Sequence, residues 1–304
     1  MPHNATLFFP PEHNPETVPV EKLCRLVEVQ CGIEEGGLVE ARLQRVSLDA
    51  RKKEVLWRAT VIGWEPGEEI PPPPATTPAT IPKVQEEAPH AVIVGSGPAG
   101  LFCALDALRA GVRVTILERG PDVQERRRDI ALLNRGNDTN PESNYAFGEG
   151  GAGTYSDGKL YTRSGKKGSA DGVLRELVAH GAPPSISWMA RPHIGSNLLP
   201  KVIQKIRATI EEAGGAVRFG AKAESILVAE KQAVGVQVEG GETLQADAIV
   251  LATGHSATDS VLMAQRAGAK LEAKGFAIGV RIEHPQEWLD QIQYHGLSPK
   301  DGQL

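Results

Sequence analysis

Cysteine is scarce. Cys24, Cys31 and Cys103 are the only three in 304 residues, and none stands at CxxC or metal-ligand spacing. This excludes a disulfide framework and offers no metal site. Also missing is any apolar run near the roughly 20 residues that a membrane helix needs. The start, Met1-Pro2-His3-Asn4, has no basic stretch followed by an apolar one, so the chain is expected to be cytoplasmic, with no membrane partner. Concentrated positive charge is absent as well. The net charge is −5, and basic residues cluster only at Arg126-Arg127-Arg128 and Lys166-Lys167, which excludes an extended nucleic-acid footprint. No internal repeat of solenoid type occurs. What is present is ordinary for globular chains, 40% hydrophobic and 23% charged residues, enough for two domains. A small molecule is the expected ligand.

Residues 1–66 read as a small α+β module. A short apolar stretch at Leu7-Phe8-Phe9 precedes a helical face of Val20, Leu23, Val27 and Cys31. Two alternating strands follow, through Val39, Ala41 and Leu43 and through Val55, Trp57, Ala59 and Val61, with a polar turn at Asp49–Lys53. Proline then dominates residues 67–89, which can neither sustain a helix nor donate to a ladder, and these read as a linker. At His90 a β-branched run of the buried parallel type begins. Further on, Leu199, Val202, Ile203, Ile206, Ile210 and Ala213 mark a helix ending at Gly214-Gly215, and a third sheet strand is expected near 217–219. Ile226–Val228 and Val234, Val236 and Val238 predict a meander turning at Gly240-Gly241, before a buried strand at 248–252.

The chemistry lies in Gly95-Ser96-Gly97-Pro98-Ala99-Gly100, which follows a strand and opens a helix to Ala110, with a second strand at 112–117 ending at Glu118. In a dinucleotide fold Gly95 makes the tight turn and Gly97 admits a pyrophosphate. Gly100 lets helix and strand approach, and the helix N-terminus supplies unpaired N–H groups. Glu118 would accept ribose hydroxyls, with Arg119 beside it. A second literal match, Gly148-Glu-Gly150-Gly151-Ala152-Gly153, lacks the preceding strand and following helix and is no NAD site. Its glycines could still lie flat against a cofactor and form an anion-binding nest.

The acid at the end of the second strand suits NAD or FAD, so the order of elements has to choose. A Rossmann NAD domain would continue βαβ, whereas here about 80 residues of loop and helix intervene, much longer than ordinary connections. The meander then leads to Asp247–Gly254, with an Ala-Thr-Gly turn at Thr253 and Gly254. This order resembles the FAD-binding domain of glutathione-reductase-like flavoproteins. The runs Phe147–Leu160, Arg191–Gly195, Ala252–Ser256 and Gly279–Pro285 sharpen it. They resemble the signatures of a functionally uncharacterised FAD-dependent dehydrogenase family of prokaryotes, and the N-terminal module with Ser47–Arg51 is similar too.

The resemblance implies an α/β fold: a Rossmann-like FAD-binding domain with a parallel sheet and β-meander, preceded by the small α+β domain. It implies FAD on the first glycine loop and Glu118, with Gly150 to Gly153 and Ser156 near pyrophosphate and flavin. The FAD-binding domain is expected over 90–254, with a long insertion at about 121–196. Family members run on for roughly a further domain, so 255–304 is expected to begin a substrate domain that is incomplete here.

A flavin carries the redox chemistry itself, while the protein supplies orientation and electrostatics. Lys159 and His193 lead as catalytic residues, ahead of His255, Arg281 and His284, because a cation near the flavin pyrimidine or a neutral histidine could serve the reaction. One of Arg126, Arg127 and Arg128 is a further candidate for phosphate contact, the others covering a helix surface. The reading is an FAD-dependent oxidoreductase of unknown substrate. The alternatives are a flavin-binding protein without turnover and, more weakly, an NAD-only dehydrogenase. The electron donor stays open between NAD(P)H docking without its own fold and another reductant.

Overall fold

The computed structural model describes residues 1–52, 54–155, 158–160, 169–275, 278–280 and 282–297. By contacts the chain forms two units. The first comprises Met1–Pro74, Pro184–Pro192 and the described part of Gly275–Leu304; the second comprises the described parts of Ala75–Pro183 and His193–Lys274.

In the first unit, period-two burial makes the strands. β1 (His3–Phe9) buries Ala5, Leu7 and Phe9 and exposes Phe8. α1 (Val20–Cys31) buries Leu23, Cys24 and Val27, one face of a helix, and stops at Gly32, whose φ of 71° gives the left-handed cap. β2 (Glu40–Asp49) and β3 (Leu56–Trp64) complete an antiparallel sheet of order β1-β3-β2, with a bulge between Leu43 and Arg45. Ala5, Leu7, Ala41, Val46, Ala59 and Val61 pack on the apolar face of α1. Each larger aliphatic side chain buried there contributes roughly 1.5–3 kcal/mol. Lys53, at the end of the expected turn, lies outside the described residues.

Pro184–Pro192, inside the stretch expected as the insertion, joins this unit. Val46 exchanges backbone bonds with it, its N–H reaching the Trp188 carbonyl at 2.7 Å and its carbonyl accepting from Ala190 N–H at 2.8 Å.

In the second unit, β4 (His90–Val94) is buried throughout and runs parallel to its neighbours, as its β-branched composition requires. α2 (Pro98–Arg109) leads to β5 (Arg113–Leu117), then α3 (Val123–Asn134), α4 (Asp171–Ala179) and α5 (Leu199–Glu212) precede β6 (Ala216–Arg218). β7 (Ala223–Ala229), β8 (Gln232–Val238) and β9 (Thr243–Gln245) form the antiparallel meander, and β10 (Ala248–Leu251) returns to the parallel sheet, whose order is β10-β4-β5-β6. The meander packs on the sheet through Val236, Val238 and Leu244 against Val92, Leu117 and Ile249. α6 (Thr258–Arg266) follows β10, and α7 (Gln286–Tyr294) lies in the first unit.

The fold is thus mixed α/β with a parallel sheet and meander, as the sequence leads one to expect. The proline-rich stretch is tethered at both ends. Arg42 donates to the Pro71 carbonyl in the first unit, and in the second Ile81 is buried and Val84 N–H reaches the Ala213 carbonyl at 3.0 Å.

Candidate functional site

β4 and β10 end side by side, and the chain leaving β4 must turn at once into α2. Gly95 takes φ +106° there and donates its N–H to Leu117 O at 2.7 Å. A Cβ on Gly100 would stand 1.9 Å from the Gly95 carbonyl oxygen, so only glycine lets the loop close this tightly. The tight turn presents the N-terminus of α2, capped by Gly97 with Pro98 in its first turn, to a cavity of about 470 Å³. The first N–H groups of a helix lack intrahelical partners, and its dipole favours an anion at that end. The cavity also falls at the carboxyl ends of parallel strands, where α/β sheets receive nucleotides, and its volume is typical of ligand sites. The crowding at Gly95 and Gly100 and the bare helix end fit a diphosphate.

The walls bring distant segments together. Gly95, Gly97, Pro98 and Ala99 line the cavity from the first loop, Glu118 and Arg119 from the end of β5, and Gly151, Ala152 and Gly153 from the second glycine run. Thr253, Gly254, His255 and Ser256 follow β10 on another side, with Asp259 of α6 beyond them. Ser96, Gly100 and Gly150 sit behind these walls. Gly150 donates its N–H to Ser96 O at 2.9 Å, which ties the second loop onto the first.

Glu118 is buried and fully engaged. Its Oε2 accepts from Ser96 N–H at 3.0 Å and Ser96 Oγ at 2.8 Å; its Oε1 accepts from Gly120 N–H at 2.9 Å and Gly148 N–H at 3.3 Å. These four donors occupy about the full acceptor capacity of a carboxylate.

Arg119 donates to both oxygens of Glu142 and reaches Asp259 Oδ2 at 3.0 Å, with its guanidinium 4.7 Å from the centre of the Phe147 ring. Lys222 Nζ joins this rim 3.2 Å from Glu142 Oε1. The hydrogen bonds from Arg119 hold the Glu142 carboxyl below the ordinary range, against a smaller opposing effect of burial.

The two leading catalytic candidates do not line this cavity. Lys159 and His193 do meet, as partners in an isolated antiparallel bridge flanked by Ile194 N–H to Gly158 O at 3.1 Å. Both are exposed, and neither is among the residues lining the cavity. His255 does line it, with Ser256 Oγ 3.4 Å from its Nε2, while His284 packs on Trp288 in the first unit. Ser156, Asp157, Lys166, Lys167 and Arg281 lie outside the described residues. Among the described residues there is no group of three or more His, Cys, Asp and Glu placed to hold a metal ion, and no helix long and apolar enough to cross a membrane.

Sequence reasoning missed Glu142, Lys222 and Asp259, which lie in loops or at a helix start without any periodic signal. It also left Arg126 undistinguished from Arg127 and Arg128, which are exposed. The available signal was spacing: Val123, Arg126 and Ile130 are the buried positions of α3, so an arginine occupies its apolar stripe.

Residues 90–148 match the family model of the FAD binding domain. A protein of Clostridium beijerinckii described as uncharacterized is 43% identical over 203 residues, 67% of this chain. The chain spans only 38% of that relative's length. Among solved structures, THI4 of Thermovibrio ammonificans is similar at 20% identity and a TM-score of 0.40, covering 60% of this chain and 64% of its own. A ferredoxin reductase of Rhodopseudomonas palustris is similar at 18% identity and a TM-score of 0.28, covering 60% and 28%. The segment that builds the fingerprint and the end of β5 therefore matches an FAD-binding domain, and FAD is the cofactor.

Proposed function

We propose that this chain is part of an FAD-dependent oxidoreductase acting on a small molecule, within the prokaryotic FAD-dependent dehydrogenase family that its motifs resemble. One observation carries the reading: the α2 N-terminus opens, between two glycine loops, into a cavity walled by an FAD-binding segment. Gly97 and Ala99 would receive the pyrophosphate on backbone N–H groups and helix dipole, with Pro98, which has no N–H, fixing the first turn between them. Glu118, whose acceptor sites are filled by Ser96, Gly120 and Gly148, would accept a ribose hydroxyl on Oε1 in place of the Gly148 N–H bond, its longest at 3.3 Å. Arg119 would flank the adenosine half, and Gly151 to Gly153, Thr253 and Gly254 would line the path toward the flavin. Bound FAD would supply hydride chemistry, leaving the chain to orient cofactor and substrate and to exclude water.

The position of Lys159 and His193 off the cavity favours a second reading, flavin binding without turnover. The test is to purify the chain, record its visible absorbance, identify any released chromophore by mass, and then mix the loaded protein anaerobically with NADH or NADPH. Released FAD whose bands bleach with either donor supports the oxidoreductase. FAD without bleaching by either nucleotide leaves the binding reading or a different reductant, which an electrochemical titration followed by a substrate screen separates. A colourless protein that takes up NAD overturns both.

A further inference from the structure

Behind the second glycine loop lies a cation that never reaches the cavity. Arg126 has no exposed surface, and its guanidinium carries five hydrogen bonds, all to main-chain carbonyls of one loop. Nε donates to Asn144 O at 3.1 Å, Nη1 to Gly148 O at 3.2 Å and Glu149 O at 2.7 Å, and Nη2 to Asn144 O at 3.0 Å and Tyr145 O at 3.3 Å. Five donors is the whole capacity of an arginine. Its stem shapes the same loop, because a Cβ on Gly148 would stand 2.5 Å from Arg126 Cδ.

The loop contains no strand between Asn144 and Gly150 to hold its path. Yet that path sets where Gly148 N–H meets Glu118 at the end of β5 and where Gly150 N–H meets Ser96 of the first glycine loop. We propose that Arg126 is the positioning residue of the FAD site: its guanidinium is the template around which residues 144–149 fold, so that Gly148 and Gly151–Gly153 stand as a cavity wall set against the α2 N-terminus. The inference rests on the reading that this cavity takes FAD. Lysine, with three donors and no planar fork, cannot satisfy the same carbonyls, and an apolar side chain would take the arginine donors from Asn144, Tyr145 and Glu149 O and leave Gly148 O with only the Gly151 N–H at 3.1 Å.

The test compares Arg126→Lys, Arg126→Met and Arg126→Ala with Arg127→Met, an exposed control one position along α3. Two quantities are read on the full chain: hydrogen exchange of amides 144–153 without ligand, against those of β4 and β5, and FAD affinity from quenching of flavin fluorescence. The expected result is faster exchange confined to 144–153 and FAD binding weaker by about tenfold or more in Arg126→Met, an unsatisfied polar group or two being sufficient for that loss. Arg126→Lys should fall between, and Arg127→Met should match the parent. Millimolar guanidinium should restore FAD binding to Arg126→Ala where sodium chloride of equal strength does not.

If Arg126→Met does not fold, the lysine variant decides. Unchanged exchange in 144–153 together with parental FAD affinity in a folded variant overturns the proposal, as does a general loss of stability without loss of affinity per folded molecule. If the parent itself binds no FAD, the functional reading fails, and the exchange data still decide whether Arg126 holds the loop.

Discussion

A single histidine ties the parallel sheet to the meander. His90 Nδ1 is 2.8 Å from Gln245 O and Nε2 is 2.9 Å from Thr115 Oγ1, while its backbone N–H donates to Asp247 Oδ2 at 2.8 Å. A carbonyl only accepts, so Nδ1 holds the proton and the neutral ring satisfies both neighbours. Burial pushes the His90 pKa below its ordinary value, outweighing the opposing bond to Gln245. Between that lowered value and the unfolded one near 6.5, the unfolded chain binds a proton that the folded chain refuses. His90 therefore contributes stability that is complete above about pH 6.5 and declines as the pH falls. Burial raises the Glu149 carboxyl, which works in the opposite sense, but Glu149 is common to both proteins of the comparison. The expected outcome is that the urea midpoint drops more between about pH 7.5 and 5.5 for the parent than for His90→Asn. Parallel drops would assign the acid sensitivity to other groups.

At the scale of elements, α3 begins because Asp122 caps it, its Oδ1 accepting from Gln124 N–H at 2.7 Å and Glu125 N–H at 3.0 Å. Val123 N–H is taken instead by Glu149 Oε2 at 2.8 Å, so the helix start is bound to the loop that Arg126 grips one turn later. Arg207 Nε stands 3.0 Å from the other oxygen of Glu149, without the geometry of a hydrogen bond. Asp122→Ala should cost about 0.5–2 kcal/mol in urea unfolding, the usual effect of losing such a cap. Should the loss be nil, the Glu149 contact alone suffices to start the helix.

This element also marks a limit of sequence reading. β4 and β5 are legible because central parallel strands must be β-branched and apolar throughout, and α5 because its apolar face repeats without interruption; β10 forms as expected, but as the edge strand it leaves Ala248 and Leu251 exposed where a buried strand is expected. α3 shows no such face, since a charged residue stands between Val123 and Ile130 on its buried side. Carbonyls contributed from 18 to 23 residues away, with the Tyr155 ring 5.5 Å from the guanidinium, make that charge tolerable.

At the scale of the molecule, the site gathers segments that the chain separates widely: Gly95–Ala99, Glu118–Arg119, Gly148–Gly153 and Thr253–Asp259. Binding of FAD should slow hydrogen exchange in all four at once, while the amide of Val236 in β8, which is buried and does not line the cavity, stays unchanged. Protection confined to the first segment would mean that the cavity receives only a diphosphate end, and protection in β8 would mean that the meander, not the cavity, responds.

What the sequence determined by itself was local. Strand, glycine turn, helix, strand and acid follow one another within thirty or so residues, so steric rules at Gly95 and Gly100 and the exposed helix end were already implied. The small module was equally local, its alternation and its one amphipathic helix being enough to build a core. Tertiary structure alone decided the rest. Glu118 spends its oxygens on Ser96, Gly120 and Gly148, Arg126 turns inward, and Lys159 and His193 pair with each other away from the cavity. Such pairings depend on which loops meet in space, and hydrogen bonds between loops leave no period in the sequence from which to read them.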